Sequence, residues 1–322
     1  MIAPARWRDR LLDWRRRFAV GRPAATSGDP SGIIDSDLLL KLDRLSLLIG
    51  PDLIYGLMGE HRAVRRTAGI EFADYRPYSP GDDLRQIDWN AYARLGTLHV
   101  RLAQAEHDTL LYLLVDASPS MDFGRANKFR AARRLAAALG YLALGHLDSV
   151  VLAAPGAADA GAAPTAPIRS RTEAGVLFRR LQALRVDHAA PFDDVLSGWS
   201  LTPGQGRLAV LLSDLLLDDY REGVRRLIAA DFAVTVLHVL SVEELEPPEP
   251  GDLDLYDREL NAQMELHLGA EGVLAYRRHL HDWLEECEGW CRAQRVGYFR
   301  LHSDWDVEQI LLKRLRQGGM TA

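Results

Sequence analysis

Short apolar runs alternate with helical stretches over residues 110–316, and this alternation constrains the fold more than any other feature of the chain. The runs predicted to be strands are rich in Leu and Val and cover residues 110–116, 150–154, 208–214, 234–241 and 297–302. The predicted helices cover residues 127–145, 172–184, 220–230, 273–294 and 307–316. Continuous apolar strands separated by helices are typical of parallel sheets that are covered on both faces. The pattern therefore predicts an α/β fold with a doubly wound, mostly parallel sheet.

Composition excludes several classes of protein. The 322 residues are 48% hydrophobic and 26% charged, which is ordinary globular usage. A net charge of −6 argues against a nucleic-acid partner. The apolar helical run at 135–145 is too short for a membrane span, which needs roughly 20 residues. With only Cys287 and Cys291 and no signal-peptide pattern, we expect a cytoplasmic protein.

Residues 1–22 carry a strong positive charge, with seven arginines against two aspartates. Four apolar side chains there recur at helical spacing and form one stripe: Trp7, Leu11, Trp14 and Phe18. Such a helix can dock on an anionic membrane surface or pack against its own domain, and the sequence leaves both interpretations open. Residues 21–32 are predicted to be a flexible linker, so residues 1–35 form a basic arm and linker.

The next part of the chain, residues 36–107, is predicted to hold a helix followed by a β-rich block. Ser36 is placed to cap a Leu-rich helix that ends before Gly50 and Pro51. Short extended pieces follow at 70–75, 84–89 and 98–103. We therefore expect a β-rich segment in front of an α/β domain that covers residues 108–318.

The first strand of that domain ends in a turn that carries metal-binding chemistry. Asp116, Ser118 and Ser120 place a carboxylate and two hydroxyls on one turn, and Mg²⁺ prefers such oxygen ligands. Asp214 ends another predicted strand and should emerge at the same edge of a parallel sheet. The four residues predict a site for Mg²⁺ or Mn²⁺. The alternative is that Asp116 and the serines form an Asx-turn and cap the following helix.

This turn, together with the pair Ser213-Asp214, resembles the metal-ion-dependent adhesion site of von Willebrand factor type A domains. The upstream segments EF (71–72), RPYSPGDDLR (76–85), IDW (87–89) and AR (93–94) resemble domain-of-unknown-function family fifty-eight, as does DLYDRELN (254–261). The resemblance covers residues 50–318 and implies a von Willebrand factor type A-like domain with an inserted loop or hairpin at 242–272.

The resemblance also implies a function. Members of the family are bacterial and archaeal proteins associated with MoxR-type AAA+ ATPases. We therefore expect a non-enzymatic interaction module that acts with such an ATPase in assembly or maturation of other proteins. Its ion, held by Asp116, Ser118, Ser120 and Asp214, would capture an acidic residue of a client protein. The family's threonine ligand is Ala190 in this chain, which leaves three interpretations: weak ion binding, a water in place of the hydroxyl, or a vestigial site, unless Asp193 or Asp194 compensates.

Two charged segments have two interpretations each. Arg76, Arg85 and Arg94 present a docking surface for the ATPase, or they form ion pairs that set the register of a hairpin. The acidic residues 243–257 form a solvated excursion or a lip that binds a partner.

Other chemistry is weakly supported. The spacing of His279, His281, Cys287 and Cys291 matches no common zinc pattern, so two buried thiols on a helix are the simpler interpretation. The chain contains neither a G-x-x-x-x-G-K-[ST] loop nor a G-x-S-x-G elbow. The alternatives to an ion-binding interaction module are a metal-dependent hydrolase and a metal-free structural scaffold.

Overall fold

The computed structural model describes residues 18–20, 33–48, 75–78, 89–101, 110–145, 149–155, 164–186, 192, 196, 207–217, 219–246, 251–257 and 262–311. The strands, in chain order, are β1 (Phe18–Val20), β2 (Tyr75–Pro77), β3 (His99–Arg101), β4 (Leu110–Val115), β5 (Ser149–Ala153), β6 (Arg207–Ser213), β7 (Phe232–Leu240), β8 (Gly251–Asp257), β9 (Ala262–Leu268) and β10 (Gly297–His302). The helices are α1 (Ser36–Leu48), α2 (Trp89–Leu95), α3 (Lys128–Ala143), α4 (Ala174–Ala183), α5 (Tyr220–Ala229), α6 (Val242–Leu245) and α7 (Ala270–Ala293).

The central sheet has the strand order β10-β7-β6-β4-β5, and each of its neighbouring pairs is parallel. This confirms the predicted α/β fold with a mostly parallel sheet. Ile168 adds a short antiparallel bridge to Val150 beside β5. The chain leaves β4 outward to β5 and then returns to place β6 on the other side of β4. The gap between the carboxyl ends of β4 and β6 is therefore the switch point at which such sheets bind ligands.

Helices cover both faces of this sheet. On one face α1, α3 and α4 pack against Leu111, Leu113 and Val115 of β4. On the other face α5 and α7 pack around Leu114 and its neighbours. Alternate residues of a strand point to opposite faces, so the side chains of one apolar strand contribute to the hydrophobic clusters on both faces of the sheet. This is why the strands are continuously hydrophobic.

The observed elements follow the predicted ones closely in this sheet, and most differences lie at the ends. The cap of α1 is one such difference, because Ser36 is already part of the helix. Asp35 Oδ1 instead accepts a hydrogen bond of 2.7 Å from the Leu38 N–H. Asp and Ser are both favourable N-cap residues, and the sequence alone did not show which of these two adjacent residues caps α1.

A second sheet joins the N-terminal region to the inserted segment. β8 and β9 form an antiparallel hairpin, and β1 pairs with the free edge of β8. The predicted helical stripe is thus wrong at Phe18, which lies in β1 opposite Asp257. The edge of β8 offers backbone hydrogen bonds that a helix could not use. Trp7, Leu11 and Trp14 lie outside the described residues.

Within the acidic segment 243–257, residues 243–245 lie in α6 and residues 251–257 form β8, whereas residues 247–250 lie outside the described residues. In the predicted β-rich block, β2 and β3 form an antiparallel pair. Trp89 begins α2 and is not extended as predicted, whereas residues 84–88 lie outside the described part. In the part of the chain that the structure describes, no helix has both the length and the apolar character of a membrane span.

Two helical glycines should respond to alanine in opposite directions. A Cβ on Gly140 of α3 would lie 2.4 Å from Leu177 Cδ2 and 3.0 Å from Leu113 Cδ1. Both leucines are fully buried, so Gly140→Ala should lower the free energy of unfolding by about 1–3 kcal/mol through overpacking. Gly289 of α7 has no neighbour within 4 Å of such a Cβ, and Gly289→Ala should raise stability by about 0.4–1 kcal/mol. Urea denaturation measures both. Equal effects would contradict the close α3–α4 packing.

Candidate metal centre

The main chain of Asp116 is held by both neighbours of β4. Its N–H donates to Leu212 O over 3.0 Å, and the Ala117 N–H donates to Pro155 O over 2.8 Å. The parallel register pairs Val115 with Leu212, which places Asp116 beside Ser213. The turn therefore begins while the chain is still bonded into the sheet.

Both oxygens of the Asp116 carboxylate accept hydrogen bonds inside the protein. Oδ1 accepts from the Ser118 N–H over 2.8 Å, which is an Asx-turn, and Oδ2 accepts from the Ser213 hydroxyl. The Ser118 and Ser120 hydroxyls are hydrogen-bonded to each other, with their oxygens 3.0 Å apart. The Asx-turn of the alternative interpretation is therefore present. The helix cap is not, because Asn127 caps α3 by accepting from the Arg130 N–H over 2.9 Å.

Asp214 lies in the same buried cluster, and its main partner is a lysine that the sequence analysis missed. Asp214 Oδ1 accepts from the Leu216 N–H over 3.1 Å, while Oδ2 lies 2.7 Å from Lys128 Nζ. The same ammonium lies 2.7 Å from Glu244 Oε1. Lys128 is fully buried. One signal was available in the sequence, because Lys128 opens a helix at the end where the helix dipole disfavours a cation.

Glu244 is held in place by its own helix. It forms a capping box with Ser241, whose N–H donates to Glu244 Oε2 over 2.8 Å. The Tyr276 hydroxyl of α7 donates to the Glu244 carbonyl over 2.8 Å. The spacing S-x-x-E could have identified this cap from the sequence. Glu244 thus links the buried cluster to the start of the inserted segment.

The turn after β6 is strained. Leu215 has φ of 56°, a left-handed conformation that costs roughly 1–2 kcal/mol for a side chain of this kind. Two hydrogen bonds stabilise the turn, and a third holds His238 in place. Ser213 Oγ accepts from the Leu215 N–H over 2.9 Å. His238 Nε2 lies 3.0 Å from Asp214 O, and His238 Nδ1 lies 2.7 Å from the Tyr298 hydroxyl. Because a carbonyl only accepts, Nε2 carries the proton. Strain of this kind collects at functional sites.

The cluster carries more negative than positive charge. Asp116, Asp214 and Glu244 are buried with a single ammonium, Lys128, among the described residues, so the carboxylates exceed the ammonium by two negative charges when all three are ionised. Burial, together with the nearby Asp214 carboxylate, raises the pKa of Asp116 to about 7. Burial acts in the same direction on Asp214, but the Lys128 ammonium holds the pKa of Asp214 below its usual value. Asp116 is therefore the carboxylate of the cluster that is partly protonated near pH 7, and a bound cation would favour its ionised form.

The donor set fits a divalent ion. Mg²⁺ binds oxygen ligands at about 2.1 Å in an octahedron, so two adjacent ligands lie about 3.0 Å apart. This is the separation of the Ser118 and Ser120 hydroxyl oxygens. Within the described ranges no group of three or more His, Cys, Asp or Glu side chains is placed to hold a metal. A centre here would depend on the serines as well as the carboxylates. Ala190, Asp193 and Asp194 lie outside the described residues.

The remaining predicted residues are not brought together by the described part of the chain. Arg94 is exposed on α2, and Arg76 contributes main chain to β2. The side chain of Arg76 and the whole of Arg85 lie outside the described residues. Cys287 and Cys291 are buried free thiols on α7, as the simpler interpretation expected.

A doubly wound α/β sheet with paired carboxylates and hydroxyls at its switch point defines the class of this protein. The chain belongs to the family described as Protein of unknown function DUF58, whose model matches residues 74–280. This confirms the resemblance seen in the sequence. Uncharacterized proteins of Mycobacterium tuberculosis and Mycobacterium bovis are 31% identical to it over 308 residues. The match covers 91% of this chain and 94% of each relative.

Among solved structures, the chain is similar to a conserved hypothetical protein, BatB from Bacteroides thetaiotaomicron. The sequence identity is 16% and the TM-score is 0.41. The match covers 66% of this chain and all of BatB.

Proposed function

We propose that this protein is a non-enzymatic interaction module that holds a divalent ion, Mg²⁺ or Mn²⁺, at the carboxyl ends of β4 and β6. Asp116, Ser118, Ser120 and Asp214 would hold the ion, directly or through water. The observation that carries the proposal is the buried excess of carboxylates beside two hydroxyls that are hydrogen-bonded to each other. A bound cation would offset the cost of burying those carboxylates.

The ion would supply a Lewis-acidic position for a carboxylate of a client protein. The chain's own residues position the donors, because the sheet holds Asp116 and the His238 and Ser213 hydrogen bonds hold the turn at Asp214. Work beside a MoxR-type AAA+ ATPase is supported by the family resemblance alone, and so is docking of that ATPase through Arg76, Arg85 and Arg94. The von Willebrand factor type A-like character, a cytoplasmic location and membrane contact through residues 1–22 are further parts of the proposal.

One observation favours a second candidate function, the metal-free scaffold. Lys128 already places a positive charge 2.7 Å from Asp214 Oδ2. An internal ammonium can neutralise one carboxylate without a metal, as in other buried ion pairs. In a scaffold of this kind the turn would present a fixed surface, and partner binding would not respond to chelators.

Calorimetric titration with Mg²⁺ and Mn²⁺ tests the ion-binding proposal. The wild-type chain should bind weakly, because Ala190 stands where the family's threonine ligand is expected. Ala190→Thr would restore a hydroxyl and should strengthen binding by roughly tenfold, or about 1.4 kcal/mol. Ala190→Val is the matched control, because it has the shape of threonine without the hydroxyl and should bind like the wild type. If neither the wild type nor Ala190→Thr binds either ion, the scaffold remains.

A further inference from the structure

Four arginines lie in or next to the helices beside the candidate metal centre, on the side of the carboxyl ends of the strands. We refer to them as the arginine rim: Arg125, Arg130, Arg133 and Arg185. Arg125 lies in the loop between the metal turn and α3, and Arg130 and Arg133 lie in the first two turns of α3. Arg185 follows the end of α4. Arg125, Arg130 and Arg185 are exposed, and Arg133 is half-buried.

α3 and α4 bring two members of the rim together, Arg133 and Arg185. Arg133 Nη1 lies 3.5 Å from both Gln182 O and Leu184 O. Arg185 Nη1 lies 2.7 Å and 3.0 Å from the same two oxygens. The carboxyl end of a helix stabilises cations, so α4 holds two guanidinium groups side by side. Arg133 also lies over the Phe129 ring, 4.7 Å from its centroid, which restricts its movement.

Along the chain, the rim begins next to the candidate metal centre. Arg125 and Arg130 lie on either side of Lys128 in sequence, and the Lys128 ammonium is buried against Asp214. The Arg125 N–H donates to Glu243 Oε1 over 3.0 Å, which fixes the loop next to α6. α6 is acidic, with Glu243 and Glu244, and Glu246 follows it. The side of α3 and α4 therefore carries the four arginines together with Asp122, and the side of α6 is acidic.

We propose that the arginine rim binds an acidic peptide segment of the partner protein, whose carboxylates extend from the candidate metal centre along α3 to the end of α4. The proposal deepens the proposed function, since one carboxylate of the segment would reach the ion. Guanidinium groups bind carboxylates through two parallel hydrogen bonds, and several in a row select a run of acidic residues. A positive rim also raises the rate of encounter with such a segment.

Charge distribution favours an acidic peptide over a nucleic acid as the occupant. A nucleic acid carries charge continuously along its length, and it would have to pass the buried carboxylates or the acidic α6. The chain as a whole has a net charge of −6, which repels a long polyanion. A short acidic segment can stay on the basic side of the edge.

Fluorescence anisotropy with a labelled hexaglutamate peptide tests the proposal on the full-length protein. Wild-type protein should bind the peptide, and raising the salt concentration should weaken binding because exposed charges are screened. The double variant Arg130→Glu/Arg185→Glu should bind at least about tenfold more weakly. Arg130→Gln/Arg185→Gln, a milder change, should show a smaller loss. Arg169→Glu is the control. Arg169 is exposed and follows Ile168, which pairs with Val150 near the amino end of β5, so this variant should leave binding unchanged.

The outcomes separate the rim from the ion. If the rim variants lose binding while Asp116→Asn and EDTA have no effect, the rim stands and the peptide does not use the proposed ion, whose own test is the calorimetric titration. If the rim variants bind hexaglutamate as the wild type does, the rim proposal is overturned whatever Asp116→Asn does. A labelled oligothymidylate of equal charge that binds as tightly and displaces the peptide would also overturn it in favour of a nucleic acid.

Discussion

Replacing Lys128 with methionine is expected to lower the free energy of unfolding by about 3–5 kcal/mol, the usual cost of removing one partner from a buried ion pair. Methionine keeps most of the volume of lysine, so the change mainly removes charge. The ammonium lies 2.7 Å from both Asp214 Oδ2 and Glu244 Oε1. Without it, two buried carboxylates lose their cationic partner. Urea denaturation of the full-length protein measures the loss.

Lys41→Met is the matched control for this prediction. Lys41 also contacts two carboxylates, at 3.0 Å from Asp37 Oδ2 and 3.1 Å from Glu308 Oε2, but 37% of its side chain is exposed. Solvent screens such pairs, so the loss should be a small fraction of that for Lys128→Met. Asp214→Asn added to Lys128→Met should recover part of the stability, because it removes a stranded charge. Equal losses from the two lysine variants would show that burial is not what makes Lys128 important.

Asp116→Asn is expected to weaken binding of Mg²⁺ by at least roughly 100-fold, or about 2.7 kcal/mol, because an amide is a much poorer ligand than a carboxylate. The side chains have nearly the same shape, and the amide oxygen can still accept from the Ser118 N–H. Stability without metal should be unchanged or higher, since a buried carboxylate beside Asp214 is lost. Calorimetric titration gives the affinity and urea denaturation gives the stability.

Asp122→Asn controls for the loss of one negative charge near the site. Asp122 Oδ1 accepts a hydrogen bond of 2.6 Å from Asn127 Nδ2 and is not a proposed ligand, so its variant should bind Mg²⁺ like the wild type. Capture of a client carboxylate by the proposed ion should depend on Mg²⁺ in the wild type and fail with Asp116→Asn. Mg²⁺ binding that survives Asp116→Asn would refute the proposed site.

Most of the central sheet could be predicted because its strands are apolar on both faces. β10 was predicted with its observed bounds, and β4 differs only at the end where Asp116 leaves the strand. The prediction was wrong where the pattern of a short segment fits both a helix and a strand. Phe18 fits a helical stripe in sequence, but it pairs with β8, which lies more than 200 residues away along the chain. Local periodicity carries no information about such a distant partner.

The candidate site was predicted in part. Asp116, Ser118 and Ser120 are neighbours in sequence, so their meeting needed only a turn. Asp214 was predicted from the rule that parallel strands end at one edge. Lys128 was missed, because a lysine in an amphipathic helix is expected in solvent. It is buried since α3 starts directly over the carboxyl ends of β4 and β6.

By itself, the sequence determined the fold class, the family and the oxygen-rich turn, because periodicity and adjacent residues are properties of the chain as written. Only the tertiary structure decided the charge of the site. Asp116, Asp214, Lys128 and Glu244 come from four separate elements, and their mutual distances are set by the packing of α3 and α6 over the sheet. Electrostatic interactions depend on distance and burial, so neither the excess negative charge nor the arginine rim beside it could be read from the order of residues.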